Sequence, residues 1–309
     1  MAMPTLRQLQ FLAALGEKGS FSRAAEACHV TQPTLSAAIK ELEDLLGVQL
    51  VEREARGARL TRAGESAVRR ARVILSEAKE LVCSVSPAGG LLEGPFHLGA
   101  IPTIAPFVFA QTVSALNGAY PNAKVFLQED KTARLLDGLR DHSLDAAIIA
   151  LPWKTDGIAA LQVFDDEFLL AAPAQHPLAR NDDLVPEDLR GEELLLLEDG
   201  HCLRDHALSV CTQATGSLGA QVAATSLTTL VNMVAGGLGV SLLPRLAVEN
   251  GLHIESAVTL RRFAVPVVGR SIGVAWRAGS GRAGSGRASS GREAEARVIA
   301  GVLRRIFAP

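Results

Sequence analysis

The stretch 198–211, EDGHCLRDHALSVC, carries two cysteines nine residues apart, with acidic, basic and imidazole side chains between them. Cys202 stands where the chain enters a predicted helix, so the amide groups of the helix start favour a thiolate there. His201 and Arg204 can add positive charge, which lowers the pKa of a thiol. These residues in this order predict an oxidisable cysteine.

Two other interpretations of the stretch remain. A metal site would combine Cys202 with the imidazoles of His201 and His206, a set that lacks tetrahedral spacing. Cys211 falls on the opposite side of the helix, and Arg204 is a poor neighbour for a cation. An ordinary helix with two inert thiols is the simpler alternative, because free cysteine also behaves as a small apolar residue.

Length and composition indicate a globular protein of two or three domains. The 309 residues are 48% hydrophobic and 21% charged, and the net charge of −2 argues against a general polyanion binder. No apolar run reaches the roughly 18 residues of a membrane span, and the N-terminus lacks the features of a secretion signal. Four cysteines are too few for a disulfide scaffold, so we expect a cytoplasmic protein with free thiols.

The N-terminal residues predict a helix-turn-helix. Periodic leucines mark a helix over 5–18, and a short helix over 21–28 precedes His29-Val30 and a further helix over 31–47. In such a unit the last helix reads DNA. Residues that favour helix ends stand at the limits of these segments. Thr5, Ser20 and Thr31 are the predicted N-caps, and Gly19 and Gly47 are the predicted terminators.

A basic wing and a long helix follow. Residues 48–61 predict two short strands, and 53–72 carries seven arginines against two glutamates, a local charge of +5 that suits phosphate. The helix over 61–84 has small and apolar residues at alternating spacings of four and three. This heptad pattern predicts pairing with a second copy, and a single buried amphipathic helix is the alternative. The seam comprises Ala67, Ala71, Ile74, Ala78, Leu81 and Val85.

Strand and helix patterns alternate from residue 95 onward, which predicts an α/β domain with a largely parallel sheet. SPAGGLLEGP at 86–95 is a hinge by composition. Three near-copies of AGSGR at 278–292 indicate a flexible linker before a closing helix. Their arginines, Arg282, Arg287 and Arg292, are available to contact DNA or a partner.

FSRAAEACHVTQPTLSAAIKELEDLLGVQLVERE resembles the LysR-type transcriptional regulators, and GPFHLGAIPT, YPNAKVFLQED, LDAAIIAL and GGLGVSLLP resemble their effector domain. The resemblance covers essentially the whole chain. It implies an all-α winged helix-turn-helix domain over 1–61, a dimerisation helix over 62–85 and a hinge over 86–94. An α/β effector domain would follow over 95–309, with two Rossmann-like lobes like those of periplasmic binding proteins and the second lobe near 166–268.

For DNA, side chains at the start of the second helix reach base edges, while basic residues suit phosphate and minor-groove contacts. Capping and solvation of a helix is the alternative role for the same polar residues. We expect double-stranded DNA, a homodimer or homotetramer, and RNA polymerase as partners. The residues assigned to bases are Gln32, Pro33, Thr34 and Ser36, and those assigned to phosphate or the minor groove are Lys40, Arg53 and Arg56. Thr31 and, from the family pattern, Arg7 are further DNA-binding residues.

LLLLEDGHCLRDHALSVC resembles the hydrogen-peroxide-sensing members of that family, whereas most members bind a small metabolite in the cleft between the lobes. The resemblance implies peroxide as the signal, no cofactor, and cellular thiol reductants as partners. It also implies oxidation of Cys202 to a sulfenic acid, which Cys211 resolves to a disulfide. The residues it assigns to the peroxide pocket are Thr103, Thr132, His201, Asp205 and Arg277.

A disulfide between Cys202 and Cys211 is incompatible with an intact helix. Nine helical residues rise about 13.5 Å and turn about 900°, which places the thiols on opposite faces. Bonded cysteines have Cα atoms at most about 7 Å apart. Oxidation would therefore unwind the segment and repack a lobe. We expect Cys28 and Cys83 to be structural or bystander thiols.

Three functions follow from these patterns. The first is a peroxide-sensing regulator that activates, and in some contexts represses, oxidative-stress genes. The second is a LysR-type regulator gated by a small organic ligand in the cleft, with incidental cysteines. A thiol peroxidase is disfavoured, because a DNA-reading domain would have no purpose in it, so we expect no enzyme.

Overall fold

The chain forms two compact units, Met1–Gly89 with Asp141–Ser143 and Gly90–Arg140 with Leu144–Pro309. One hydrophobic core lies in the first unit and two lie in the second. None of the described helices is long and apolar enough to cross a membrane. The computed structural model describes residues 3–54, 57–85, 91–153, 156–212, 223–264, 268–278 and 291–308.

The first unit is a helix-turn-helix with a wing, as the sequence predicts. Strands β1 and β2 pair antiparallel, with Glu54 opposite Gly57. A Cβ at Gly64 would collide with the carbonyl oxygen of Leu50, so the wing and the following helix approach closely because position 64 is glycine. The elements are α1 (Leu6–Lys18), α2 (Phe21–Ala27), α3 (Gln32–Leu46), β1 (Val51–Glu54), β2 (Gly57–Leu60) and α4 (Arg62–Val85).

Helix ends follow the expected chemistry. Three threonine hydroxyls accept hydrogen bonds from backbone N–H groups three residues further on, which satisfies a donor that the helix itself leaves unpaired. Ser20 stands at the N-cap of α2 without a side-chain capping bond. Gly19 and Gly47 end α1 and α3 at φ values of 59° and 65°, where a Cβ is unfavourable. The capping threonines are Thr5, Thr31 and Thr61.

The core of the first unit orients α3. Leu12 from α1 and Leu35 and Leu42 from α3 are fully buried, and each contributes about 1.5–3 kcal/mol of hydrophobic stabilisation. On α4, Ile74 and Leu81 are 47% and 65% exposed. These two apolar residues lie on the heptad seam, and their pairing with a second copy stays a prediction.

The second unit is α/β. Its strands are β3 (Gly94–Ala100), β4 (Ala123–Glu129), β5 (Ala146–Leu151), β6 (Ile158–Pro173), β7 (Leu196–Leu197), β8 (Ala223–Ala224), β9 (Ser241–Pro244), β10 (Val258–Arg262) and β11 (Gly269–Arg277). Its helices are α5 (Ala105–Ala119), α6 (Thr132–Arg140), α7 (Cys202–Thr212), α8 (Leu227–Ala235), α9 (Arg245–Glu249) and α10 (Gly291–Phe307).

A mixed sheet organises this unit, and the expectation of a largely parallel sheet is wrong. The strand order is β10-β6-β11-β5-β3-β4, with β9 also paired to β6. β3 pairs parallel with β4 and β5, but β11 pairs antiparallel with both β5 and β6. The sixteen-residue β6 accounts for most of the antiparallel pairing. Its first part pairs antiparallel with β11, and its last part pairs antiparallel with β9 and β10. One long strand thus serves both lobes.

The two cores of the second unit define the two lobes. Phe96, Ile148 and Ile272 belong to the first core, and Phe168 and Leu243 belong to the second. Strand β6 contributes to both, because Phe164 lies in the first core and Phe168 in the second.

Helix α7 contacts both lobes. Cys202 belongs to the first core, whereas Leu203 and Ala207 belong to the second. Any change in the conformation of α7 therefore changes the packing of both cores.

Arg292, from the last of the AGSGR repeats, has a structural role that corrects the expectation of a free arginine. Its guanidinium forms ion pairs with Asp145 (3.0 Å) and Glu295 (2.8 Å), and its side chain is 18% exposed. Arg282 and Arg287 lie outside the described residues.

Candidate functional site

Cys202 is the first residue of α7 and is buried. A crevice with about 170 Å³ of space between atoms adjoins its side chain, and this crevice is too narrow for a water-sized molecule until its walls move. Its walls include Pro102, Thr103, Lys131, Thr132, Gly200 and His201.

Opposing effects act on the Cys202 thiol. Burial raises its pKa, but hydrogen bonding with His206 and the positive charges of Arg270 and His206 lower it, as does the Thr132 hydroxyl. The net pKa lies below the ordinary value of 9.0. Because the thiolate is the nucleophile, the surroundings of Cys202 favour its reactive form.

The arginine at this site is Arg270 on β11. Its Nη1 donates to Thr103 Oγ1 (2.7 Å) and its Nη2 donates to the Thr103 carbonyl oxygen (3.3 Å). Its Nη2 also lies 3.0 Å from Asp166 Oδ2, and the two side chains are 0% and 1% exposed. A fully buried guanidinium is thereby fixed beside the crevice.

Arg277 lies at the other end of β11, and its assignment to the peroxide pocket is corrected. Arg270 stands opposite Asp166 in the antiparallel register, whereas Arg277 stands opposite Ile158. Seven strand residues separate the two arginines by about 23 Å. The charge therefore comes from the first arginine of RSIGVAWR and not from the last.

Thr103 and Thr132 lie at the crevice, as the resemblance implies, and both are buried. Thr103 Oγ1 accepts a hydrogen bond from Arg270, so its hydroxyl hydrogen remains available to a ligand. Thr132 Oγ1 is buried and faces the Cys202 thiol, and apart from that sulfur it has no hydrogen-bond partner among the described residues. Such a hydroxyl costs about 1–3 kcal/mol, which a polar ligand would recover.

His201 also lines the crevice, and hydrogen bonds from Lys131 hold the loop that contains it. Burial and the charge of Lys131 lower the pKa of His201, while Glu198 at 3.7 Å opposes them, so the net pKa lies below 6.5. Lys131 Nζ donates to Glu198 Oε1 (2.8 Å) and to the carbonyl oxygen of Asp199 (2.9 Å). His201 is therefore neutral at pH 7 and presents one N–H and one lone pair.

Sequence reasoning assigned Asp205 to the pocket and missed His206. Asp205 is exposed on the first turn of α7 and is not among the crevice residues, so the structure does not bring it to the crevice walls. His206 Nδ1 lies 2.7 Å from the carbonyl oxygen of Cys202, and its Nε2 lies 3.3 Å from that of Leu151. The spacing of four residues, which brings side chains together on one helix face, could have revealed it.

Of the other three cysteines, the structure describes the side chain of Cys28. Cys211 lies on α7, nine residues beyond Cys202 on a continuous helix, but its side chain lies outside the described residues, as does that of Cys83. Burial raises the pKa of the Cys28 thiol, and the charge of Glu17 adds to the rise. Within the described ranges, no group of three His, Cys, Asp or Glu side chains is arranged to hold a metal ion.

A larger cleft adjoins the crevice. It has a volume of about 420 Å³ and shares Pro102, Thr103 and His201 with the crevice walls. The cleft and the crevice at Cys202 therefore lie on either side of the same three residues.

The start of α3 presents polar side chains to solvent. Gln32 Oε1 accepts a hydrogen bond from Ser22 Oγ (3.2 Å), so α2 restrains the orientation of this side chain. The Arg7 guanidinium is exposed and lies 5.6 Å from the centroid of the Phe11 ring. Thr31, Gln32, Pro33, Thr34 and Lys40 are exposed and Ser36 is half-buried. Arg53 lies on β1 with its side chain outside the described residues, and Arg56 lies wholly outside them.

Both units match known sequence families. Residues 6–65 match the bacterial regulatory helix-turn-helix protein of the lysR family, and residues 89–285 match the LysR substrate binding domain. The chain belongs to the LysR family. The family and the fold class inferred from the sequence are thus confirmed, and LysR-family proteins are transcription regulators.

Two bacterial regulators are similar to this chain over most of its length. The chain is 42% identical over 275 residues to the DNA-binding transcriptional dual regulator OxyR of Escherichia coli K12, covering 89% of this chain and 90% of that one. It is also 42% identical over 275 residues to a hydrogen peroxide-inducible genes activator of Dickeya chrysanthemi, covering 89% of this chain and 90% of that one.

Solved LysR-family structures share the fold. Full-length OxyR from Pseudomonas aeruginosa with a cysteine-to-aspartate substitution has a TM-score of 0.80 at 36% identity, covering 98% of this chain and 96% of that chain. A hydrogen-peroxide-bound cysteine-to-serine mutant of Corynebacterium glutamicum OxyR has a TM-score of 0.66 at 33% identity, covering 99% and 93%.

Proposed function

We propose that this LysR-family protein is a DNA-binding transcription regulator that senses hydrogen peroxide through Cys202. The crevice at Cys202 carries the proposal, because a thiol of lowered pKa faces the Thr132 hydroxyl there, and the guanidinium of Arg270 is bonded to the crevice residue Thr103. The similarity to hydrogen peroxide-inducible genes activators supports the same function.

The chemistry at the crevice is a two-electron oxidation of sulfur. The Cys202 thiolate attacks one peroxide oxygen, the S–O bond forms as the O–O bond breaks, and the departing hydroxide takes a proton to become water. Arg270 stabilises the negative charge that develops on the leaving oxygen. The hydroxyls of Thr103 and Thr132 and the neutral His201 imidazole bind the peroxide oxygens.

A disulfide would convert this oxidation into a conformational change. The Cys211 thiol attacks the sulfur of the sulfenic acid and releases water. Because nine helical residues span about 13.5 Å, α7 unwinds for the two sulfurs to meet. Cys202 then leaves the first core, and the packing of Leu203 and Ala207 in the second core changes with it.

DNA contact by α3 and self-association through α4 complete the proposal. The exposed start of α3 suits base reading, and the exposed Ile74 and Leu81 suit a paired helix in a homodimer or homotetramer. The oxidised form activates, and in some contexts represses, oxidative-stress genes through RNA polymerase. Cellular thiol reductants return the protein to the reduced state in the cytoplasm.

Disulfide mapping after stoichiometric peroxide tests this proposal. The reduced full-length chain should acquire a bridge between Cys202 and Cys211 and a changed footprint on promoter DNA. Cys211→Ser should stop at a sulfenic acid that dimedone traps, whereas Cys202→Ser should not react. An unbridged protein with an unchanged footprint would refute the proposal, and consumption of many peroxide equivalents per chain would indicate a peroxidase.

The cleft of about 420 Å³ favours a second candidate, a regulator gated by a small organic ligand. A footprint that responds to such a ligand in the Cys202→Ser protein, with no response to peroxide in the unaltered chain, would select this alternative.

A further inference from the structure

Both ring nitrogens of His206 face backbone carbonyl oxygens. Nδ1 lies 2.7 Å from the oxygen of Cys202, one turn earlier on α7, and Nε2 lies 3.3 Å from the oxygen of Leu151 at the end of β5. A carbonyl oxygen only accepts hydrogen bonds, so each nitrogen has to donate one. A neutral imidazole has a single N–H, and the arrangement is therefore satisfied by the imidazolium.

The electrostatic surroundings agree with this protonation state. Hydrogen bonding with Cys202 raises the pKa of His206, burial opposes the rise, and the two carbonyl oxygens add to it, so the net pKa lies above 6.5. In return, His206 heads the influences that lower the pKa of the Cys202 thiol. The imidazole and the thiol thus favour their charged forms together.

The neighbouring charged groups leave His206 a distinct role. From β11, Arg270 also lowers the pKa of Cys202, and its guanidinium pairs with Asp166 on β6 at 3.0 Å. In the loop before α7, His201 has a lowered pKa, and Lys131 pairs with Glu198. In the part of the chain that the structure describes, no carboxylate forms an ion pair with His206, so its charge is available to the thiolate.

We propose that His206 is a positioning residue that activates Cys202, acting as an imidazolium that stabilises the thiolate and joins the start of α7 to the end of β5. This role rests on the proposed peroxide function. His206 does not touch the peroxide in this scheme, and it acts through the charge and position of Cys202.

The test uses the full-length chain with Cys28, Cys83 and Cys211 replaced by serine, so that Cys202 is the one thiol. The Cys202 pKa is measured from thiolate absorbance and from the alkylation rate with iodoacetamide as functions of pH. His206→Gln removes the charge but keeps an amide that can donate to one carbonyl. His176→Gln is the matched control, because His176 pairs with Glu192 and is not among the groups that act on Cys202.

We expect His206→Gln to raise the Cys202 pKa by about one unit, which slows peroxide oxidation about tenfold at neutral pH. The two rates should converge at alkaline pH, where both thiols are ionised. A purely structural role would slow oxidation at every pH. An unchanged Cys202 pKa in His206→Gln would overturn the inference.

A second variant covers the case in which His206→Gln does not fold. His206→Lys keeps a positive charge without the two-carbonyl geometry, and its Cys202 pKa should stay low. A pKa near the ordinary 9.0 in this variant would overturn the role of charge. If Cys202 of the unaltered chain did not react with peroxide at all, the peroxide function itself would fail, which is a distinguishable result.

Discussion

Asp166 and Arg270 form an ion pair in which neither side chain is more than 1% exposed. Asp166 Oδ1 also accepts a hydrogen bond from the backbone N–H of Leu246 (2.9 Å), so α9 fixes the carboxylate while the carboxylate fixes the guanidinium. Burial raises the pKa of Asp166, and the charge of Arg270 opposes the rise. The pair therefore determines where positive charge stands at the crevice.

Arg270→Met should slow the oxidation of Cys202 by peroxide about tenfold or more at neutral pH, because a charge that lowers the thiol pKa and stabilises the leaving oxygen is lost. Stopped-flow kinetics on the reduced protein would measure the rate. Arg277→Met is the matched control on the same strand and should react like the unaltered chain. A larger loss in Arg277→Met would restore the assignment made from the sequence.

Thr132→Val should slow peroxide oxidation while leaving thermal stability equal or higher, because it removes a buried hydroxyl that has no partner in the described structure apart from the Cys202 sulfur. Thr112→Val provides the control, since Thr112 Oγ1 is likewise buried and unpaired there but is not a crevice residue. Differential scanning calorimetry and peroxide kinetics on both variants separate the two effects. Equal oxidation rates in Thr132→Val and the unaltered chain would count against peroxide binding by this hydroxyl.

Asp145→Asn should destabilise the second unit at neutral pH and have little effect in acid. Burial raises the pKa of Asp145, but hydrogen bonding from His97 and the charge of Arg292 lower it, and the net pKa lies below 3.8. A lowered folded-state pKa contributes stability that is fully present above about pH 3.8 and is lost as the pH falls through the folded-state pKa.

Urea unfolding at pH 7 should therefore show a loss of about 1–3 kcal/mol for Asp145→Asn, and the difference should shrink below pH 3.8. Asp137→Asn alters a carboxylate that is 69% exposed and pairs with Arg140, so it should change stability little at either pH. A loss for Asp145→Asn that did not vary with pH would contradict the assigned pKa.

Gln32→Ala and Lys40→Ala should weaken DNA binding in different ways. Loss of a base contact at Gln32 should cost about 1–3 kcal/mol on the cognate site and little on unrelated DNA. Loss of a phosphate contact at Lys40 should weaken binding to both and reduce the slope of log affinity against log salt by about 0.9. Titrations of both DNAs at several salt concentrations distinguish these outcomes, and identical profiles for the two variants would refute the division of roles.

Local sequence chemistry predicted the helix ends and the place of Cys202 at the start of a helix. Thr31 caps the start of α3, Gly47 caps its end, and Cys202 is the first residue of α7. These positions could be predicted because caps and terminators act on residues that are close in the sequence. The same reasoning could have found His206, since its relation to Cys202 is one helical turn. It was considered only as a metal ligand, and its second partner, Leu151, is 55 residues distant in the sequence.

Assignments that depend on long-range register could not be made from the sequence. RSIGVAWR has an arginine at each end, and the end that faces Cys202 follows from the pairing of Arg270 with Asp166, about one hundred residues apart in the chain. The antiparallel return of β11 beside β5 is likewise a property of the folded sheet. Asp205 shares a short segment with Cys202, but the direction of its side chain depends on how α7 packs.

On the proposed mechanism, the eleven-residue α7 delays disulfide formation after Cys202 has been oxidised. A sulfenic acid at Cys202 persists until the helix opens far enough for Cys211 to arrive, and a cellular reductant competes throughout that interval. After a brief pulse of peroxide, the reductant would reduce the sulfenic acid before the disulfide forms. A sustained exposure would keep sulfenic acid present until α7 opens. The stability of one short helix would therefore set the shortest oxidative episode to which the genes respond.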